Sequence, residues 1–159
     1  MISVLVVDDE PDILDVFEQN LSMLGYETTV TRSGKEGLEL FFEKEFDVVI
    51  TDIKLTDISG IDVVREIMDH RKDTIVLVIT GYASVKSSME ALRLGAVDYF
   101  PKPVNIKHLN IVIKRTLENL ELSKSIPAHP NSKKKRNAYH TQTANIRCCL
   151  YIGVCERKL

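Results

Sequence analysis

Four short apolar runs in this chain each lead into a side chain with chemistry to offer. Residues 2–7 run into Asp8-Asp9-Glu10, and residues 47–51 into Asp52. Residues 75–79 run into Thr80, and residues 97–100 into Pro101-Lys102. The runs are rich in β-branched residues and have the length of strands. A cluster of acids, a single acid, a hydroxyl and an ammonium at equivalent strand ends point to one shared site.

The stretches between the runs have helical periodicity. Ile13, Leu14, Phe17, Leu21 and Leu24 share one helical face behind Pro11, which suits a first turn, with Asp9 or Glu10 near the N-cap. Gly25 and Gly95 follow periodic stretches, as helix-ending glycines do. Residues 26–31 make a more exposed strand, and further helices start near Ser33-Gly34 and pass through Val63, Val85 and Ile106. That is five strand–helix units. Near-continuous apolar strands are expected where helices cover both faces of a parallel sheet. Right-handed crossovers then favour a doubly wound α/β fold, a three-layer sandwich with its ligand site at the carboxyl ends of the strands.

The chain of 159 residues is 44% hydrophobic and 28% charged, which suits one ordinary domain with an appendage. No apolar run approaches the ~20 residues that cross a bilayer, and no basic stretch precedes the first run. A cytoplasmic protein without membrane contact is the expectation. The net charge of -2 hides an asymmetry: residues 1–122 carry 13 basic and 22 acidic side chains, a charge of -9. Residues 123–159 carry 8 and 1, a charge of +7, together with all three cysteines. The chain reads as a domain over 1–122 and a basic, irregular tail over 123–159.

Three carboxylates meeting in a cleft repel one another unless a cation or a proton joins them. Hard oxygen donors of this kind suit Mg²⁺. A carboxylate is also a nucleophile toward phosphorus, giving an aspartyl phosphate, and Lys102 would neutralise charge on the transferring group. Thr80 offers a hydroxyl to a phosphoryl oxygen. Singly, each residue has a bland account: Asp8, Asp9 and Glu10 as helix caps, Asp52 as a loop acid, Lys102 as a surface lysine, Tyr99 as a half-buried aromatic. The joint occurrence of the acids, Thr80 and Lys102 at four strand ends favours the functional account for them, and Tyr99 has no share in that argument.

The motifs Val6-Val7-Asp8-Asp9-Glu10-Pro11, Thr51-Asp52, Ile79-Thr80-Gly81 and Phe100-Pro101-Lys102-Pro103 stand in an order and spacing that resembles the receiver domain of two-component response regulators. The segment 79–84 resembles receivers of the nitrogen-regulation type of enhancer-binding activators. The resemblance implies a flavodoxin-like sandwich with five parallel strands in the order 2-1-3-4-5. It implies that Asp52 accepts a phosphoryl group from a histidine kinase or phosphotransfer protein. Asp8, Asp9, Asp52 and the backbone carbonyl of Lys54 would then hold Mg²⁺, while Thr80 and Lys102 hold the phosphoryl oxygens. Thr80 and Tyr99 would form a switch that remodels a partner-binding face of helix four, strand five and helix five. The Lys102-Pro103 bond is expected to be cis. Such a chain is a regulatory phosphoacceptor rather than an enzyme, catalysing at most its own phosphoryl transfer and loss. Lys54 and Tyr82 are further expected to influence phosphoryl lifetime.

The tail fits no effector. Lys133-Lys134-Lys135-Arg136 could meet phosphate backbones, but a short basic run is more often a solvated face. His140, Cys148, Cys149 and Cys155 lack a zinc spacing. The abrupt change in composition suggests a truncated or out-of-frame terminus replacing an output domain. The alternative reading is therefore a DNA-binding transcription regulator whose effector is truncated or reduced to this tail. A standalone aspartate-nucleophile phosphatase is disfavoured, since nothing in the chain would cover a substrate.

Overall fold

In a computed structural model, which describes residues 1–81 and 85–125, the apolar runs and periodic stretches alternate as strands and helices. The strands are β1 (Ser3–Val7), β2 (Glu27–Thr31), β3 (Val48–Asp52), β4 (Ile75–Thr80) and β5 (Asp98–Pro101). Between and after them come α1 (Pro11–Met23), α2 (Gly34–Glu43), α3 (Gly60–His70), α4 (Val85–Leu94) and α5 (Ile106–Ser125). All strand pairs are parallel and the order is β2-β1-β3-β4-β5, as expected.

The unbroken apolar character of the central strands follows from their two buried faces. Val4, Val6, Val48, Ile50, Leu77 and Ile79 point to one side, where they meet Leu14, Phe17 and Leu21 of α1 and Leu109 and Ile113 of α5. The alternate residues Leu5, Val7, Val49, Val76 and Val78 point to the other, against Phe41, Val64, Ile67 and Ala91. Each such side chain taken from water contributes roughly 1.5–3 kcal/mol. A one-residue slip of register would exchange the two sets, so the packing fixes which residue ends each strand.

The helix signals read from sequence are present. Pro11 opens α1 behind Glu10 at the N-cap position, and Ser33 and Ser59 cap α2 and α3 with their hydroxyls. Gly25 and Gly95 adopt φ of 86° and 116°, conformations in which a side chain is strained. Two boundaries differ from the expectation. Asp52 is the last residue of β3 rather than the residue after it, because its backbone still pairs with Ile79. One compact unit spans Met1–Glu121, yet α5 runs to Ser125, so residues 123–125 are helical rather than irregular. Leu117 and Leu120 pack against the apolar face that α1 shares, and a packed helix propagates easily past its last anchor. The remainder of the tail, and Tyr82, lie outside the described residues.

Candidate functional site

The register of the sheet brings the loaded strand ends together. Val7 stands beside Thr51, Asp52 beside Ile79, and Thr80 beside Pro101. The next residue past β1 is therefore Asp8, and past β5 Lys102, at the same edge as Asp52 and Thr80. Backbone bonds carry the alignment beyond the strands: the Asp8 amide donates to the Thr31 carbonyl at 3.1 Å, and the Lys102 amide to the Thr80 carbonyl at 2.9 Å.

Lys102 is the hub. Its Nζ lies 2.7 Å from Asp8 Oδ2, 2.7 Å from Asp52 Oδ2 and 2.7 Å from Glu10 Oε1. Asp8 is wholly buried, Asp52 and Thr80 nearly so, and the Glu10 side chain is 61% exposed. Backbone amides orient both buried acids: the Lys54 N–H donates to Asp52 Oδ1 and the Glu10 N–H to Asp8 Oδ1, each at 3.0 Å. The Lys102-Pro103 bond is cis.

Burial pushes the Asp8 carboxyl above its ordinary value, more strongly than Lys102 and the Glu10 amide pull it down. Burial also works against the Lys102 ammonium, but its contacts with Asp52, Asp8 and Glu10 prevail and hold it well above the usual lysine range. Three carboxylates around one ammonium leave a formal charge of -2. A divalent cation matches that charge. One oxygen from each of Asp8, Glu10 and Asp52 lies within 4.8 Å of the others, and such hard donors suit Mg²⁺.

Asp8, Asp52 and Lys102 are thus in direct contact, and Thr80 stands at the same edge of the sheet. Asp9 is not among the clustered carboxylates; its backbone carbonyl accepts from Arg32 Nε at 3.3 Å. Lys54 lies at the mouth, bridged to Ser59 across the loop between β3 and α3. Tyr99 sits half-buried on β5, beside Val78 and packed on the α2–α4 side of the sheet.

Two residues carry more than the sequence suggested. Glu10 reads as a helix cap, and it does stand at the N-cap position, but its side chain makes no cap bond and reaches Lys102 instead. Gly60 reads as loop punctuation. A Cβ there would lie 1.8 Å from the Asp52 carbonyl oxygen, so only glycine lets α3 start this close to the acid-bearing strand.

Fold and pocket define a class: a doubly wound α/β domain with a buried carboxylate–lysine pocket at the carboxyl ends of strands one, three and five. Residues 4–114 match the model of the response regulator receiver domain, and the chain belongs to that family. The regulatory protein AtoC of Escherichia coli (strain K12) is 35% identical over 123 residues, which is 77% of this chain and 27% of AtoC. The response regulator protein PilR of Pseudomonas aeruginosa is 38% identical over 71% of this chain and 25% of its own. The chain spans about a quarter of the length of these two relatives.

Among solved structures, a response regulator receiver domain from Methanospirillum hungatei JF-1 is 34% identical with a TM-score of 0.75, covering 77% of this chain and 98% of that one. The beryllofluoride-activated NtrC4 receiver domain is 30% identical with a TM-score of 0.71, covering 76% and 99%. Receiver domains act in phosphorylation-dependent signalling, typically bind Mg²⁺, and interact with histidine kinases or phosphotransfer proteins.

Proposed function

We propose that this chain relays a histidine kinase signal by accepting a phosphoryl group on Asp52. The observation that carries the reading is the Lys102 ammonium 2.7 Å from Asp52 Oδ2 inside a buried acidic cluster. An Asp52 oxygen attacks the phosphorus of a phosphohistidine, the phosphorus–nitrogen bond breaks, and the imidazole leaves with the electron pair. Lys102 holds negative charge on the transferring oxygens, and the Thr80 hydroxyl donates to one of them. Asp8, Asp9, Asp52 and the Lys54 carbonyl, joined by Glu10, would hold Mg²⁺, which when bound supplies further charge neutralisation. The Lys54 amide bond to Asp52 Oδ1 steers the other carboxylate oxygen, Oδ2, toward Lys102.

In this reading residues 1–122 are the receiver and 123–159 an appended tail. The domain is regulatory, with no turnover beyond its own phosphorylation and dephosphorylation, and the setting is cytoplasmic. Movement of Thr80 toward the phosphoryl group lets Tyr99 turn inward, which changes the face of α4, β5 and α5 offered to a downstream protein. A second reading, DNA binding through the tail, draws on one observation, the charge of +7 over residues 123–159. Salt-dependent DNA binding that vanishes on deleting those residues would favour it.

Phosphotransfer from candidate kinases, or from a small phosphodonor, tests the main reading. Wild type should acquire acid-stable, base-labile label only with Mg²⁺, and Asp52→Asn should acquire none. Equal labelling of Asp52→Asn would move the acceptor elsewhere and end the proposal.

A further inference from the structure

The loop after Asp52 is tied to the start of α2 by a single side chain. Asp57 Oδ1 accepts from the Gly34 amide at 3.0 Å, and Oδ2 from the Lys35 amide at 2.9 Å and the Ser33 hydroxyl at 2.8 Å. Ser33 Oγ in turn accepts from the Glu36 amide, so the exposed amides of the first helical turn are all satisfied, two of them from 22 and 23 residues away. Asp57 is exposed, and the slight loss of solvent around its carboxylate is outweighed by these donors, which hold its carboxyl well below the usual range.

The contact is also steric. Gly34 sits so close to the loop that a Cβ would lie 2.6 Å from Ile58 and 2.9 Å from Leu55. The loop itself is stiffened by the Lys54–Ser59 bridge and by the Gly60 amide on the Ile53 carbonyl at 2.9 Å. The turn entering α2 reaches the other acidic loop as well: the Thr31 carbonyl accepts from the Asp8 amide, and Arg32 Nε donates to the Asp9 carbonyl. One turn therefore touches both segments that carry the proposed cation ligands.

We infer that Asp57 is a positioning residue for the divalent cation, fixing the Lys54 loop to the start of α2 and, through the residue 31–35 turn, to the Asp8-Asp9-Glu10 loop. The inference rests on the cation-dependent reading above. A carboxylate is required because it offers two accepting oxygens. An amide at this position offers one, and its NH₂ would face a backbone or hydroxyl donor.

The ordinary alternative is that Asp57 merely caps a helix, which would affect stability alone. Calorimetric titration of the full chain with MgCl₂, unphosphorylated and at neutral pH, separates the two. Asp57→Ala should weaken Mg²⁺ binding by about 10–100-fold, the cost typical of removing a support behind a metal ligand. Asp57→Asn should fall between it and wild type. Amide exchange over residues 54–59 should quicken in both variants, and saturating Mg²⁺ should restore most of the phosphorylation rate.

A lowered urea midpoint with unchanged Mg²⁺ affinity would reduce Asp57 to a cap and overturn the inference alone. Should Asp57→Ala fail to fold, Asp57→Asn and Ser33→Ala keep the comparison available. Failure of the wild-type chain to bind Mg²⁺ would sink both this inference and the reading beneath it.

Discussion

At the scale of single residues, Asp8 shows how function and stability oppose each other here. It is wholly buried, and its neighbours include two more carboxylates. Burial raises its carboxyl in the folded state, so protonation favours the fold. The associated stability is fully present below the ordinary aspartate value near ~3.9 and is lost as pH rises through the higher folded value. Asp8→Asn keeps an acceptor for the Glu10 amide and leaves Lys102 with two carboxylate partners. In EDTA at pH 7 its urea midpoint should exceed that of wild type, and the gap should close toward pH 4. Its Mg²⁺ affinity and phosphorylation should fall. A lower midpoint for Asp8→Asn at pH 7 would show that the Lys102 ion pair outweighs desolvation.

The same scale explains what could be read without coordinates. Asp8, Asp52, Thr80 and Lys102 were legible because each ends an apolar run, and parallel pairing brings such ends to one edge. Glu10 was misleading because an acid before Pro11 satisfies every rule for a helix start. Its true partner is 92 residues away, and local pattern carries no sign of it. Asp57 was hidden for the same reason, since its donors lie more than 20 residues back.

At the scale of elements, the β3–α3 connection is where geometry is tightest. Gly60 begins α3 with its amide on the Ile53 carbonyl and its Cα against the Asp52 backbone. Gly60→Ala forces Cβ onto that backbone, which has no free direction because Asp52 and Ile53 pair with β4. The variant should lose about 3 kcal/mol or more, at or beyond the upper end for overpacking. Displacing the nucleophile should slow phosphorylation by about tenfold or more. Gly34→Ala is the control, because its nearest atoms are the side chains of Ile58 and Leu55, which can move aside. Equal urea midpoints for the two variants would mean that β3 yields more readily than its pairing suggests. Strand and helix order was readable from apolar runs and glycine stops; this closeness was not, since sequence periodicity does not measure distance between elements.

At the scale of the whole molecule, the division of labour follows from where the core lies. Among the described residues, every buried hydrophobic side chain falls between Val4 and Phe100 or on α5 up to Ile113. The proposed acceptor, its cation ligands, Lys102 and the Asp57 tie all lie inside the same span. A chain ending at Ser125 retains the full length of α5 and all of these groups. It should therefore unfold in one cooperative transition with the urea midpoint of the full chain. At about 0.15 M salt its Mg²⁺ affinity and Asp52-dependent labelling should match as well. Removing the basic residues beyond 125 makes the protein more acidic, so its Mg²⁺ affinity should, if anything, rise at low salt and converge with the full chain near 0.15 M, where the Debye length is about 8 Å. A fragment that binds Mg²⁺ more weakly at every salt concentration would assign the tail a direct part in the site.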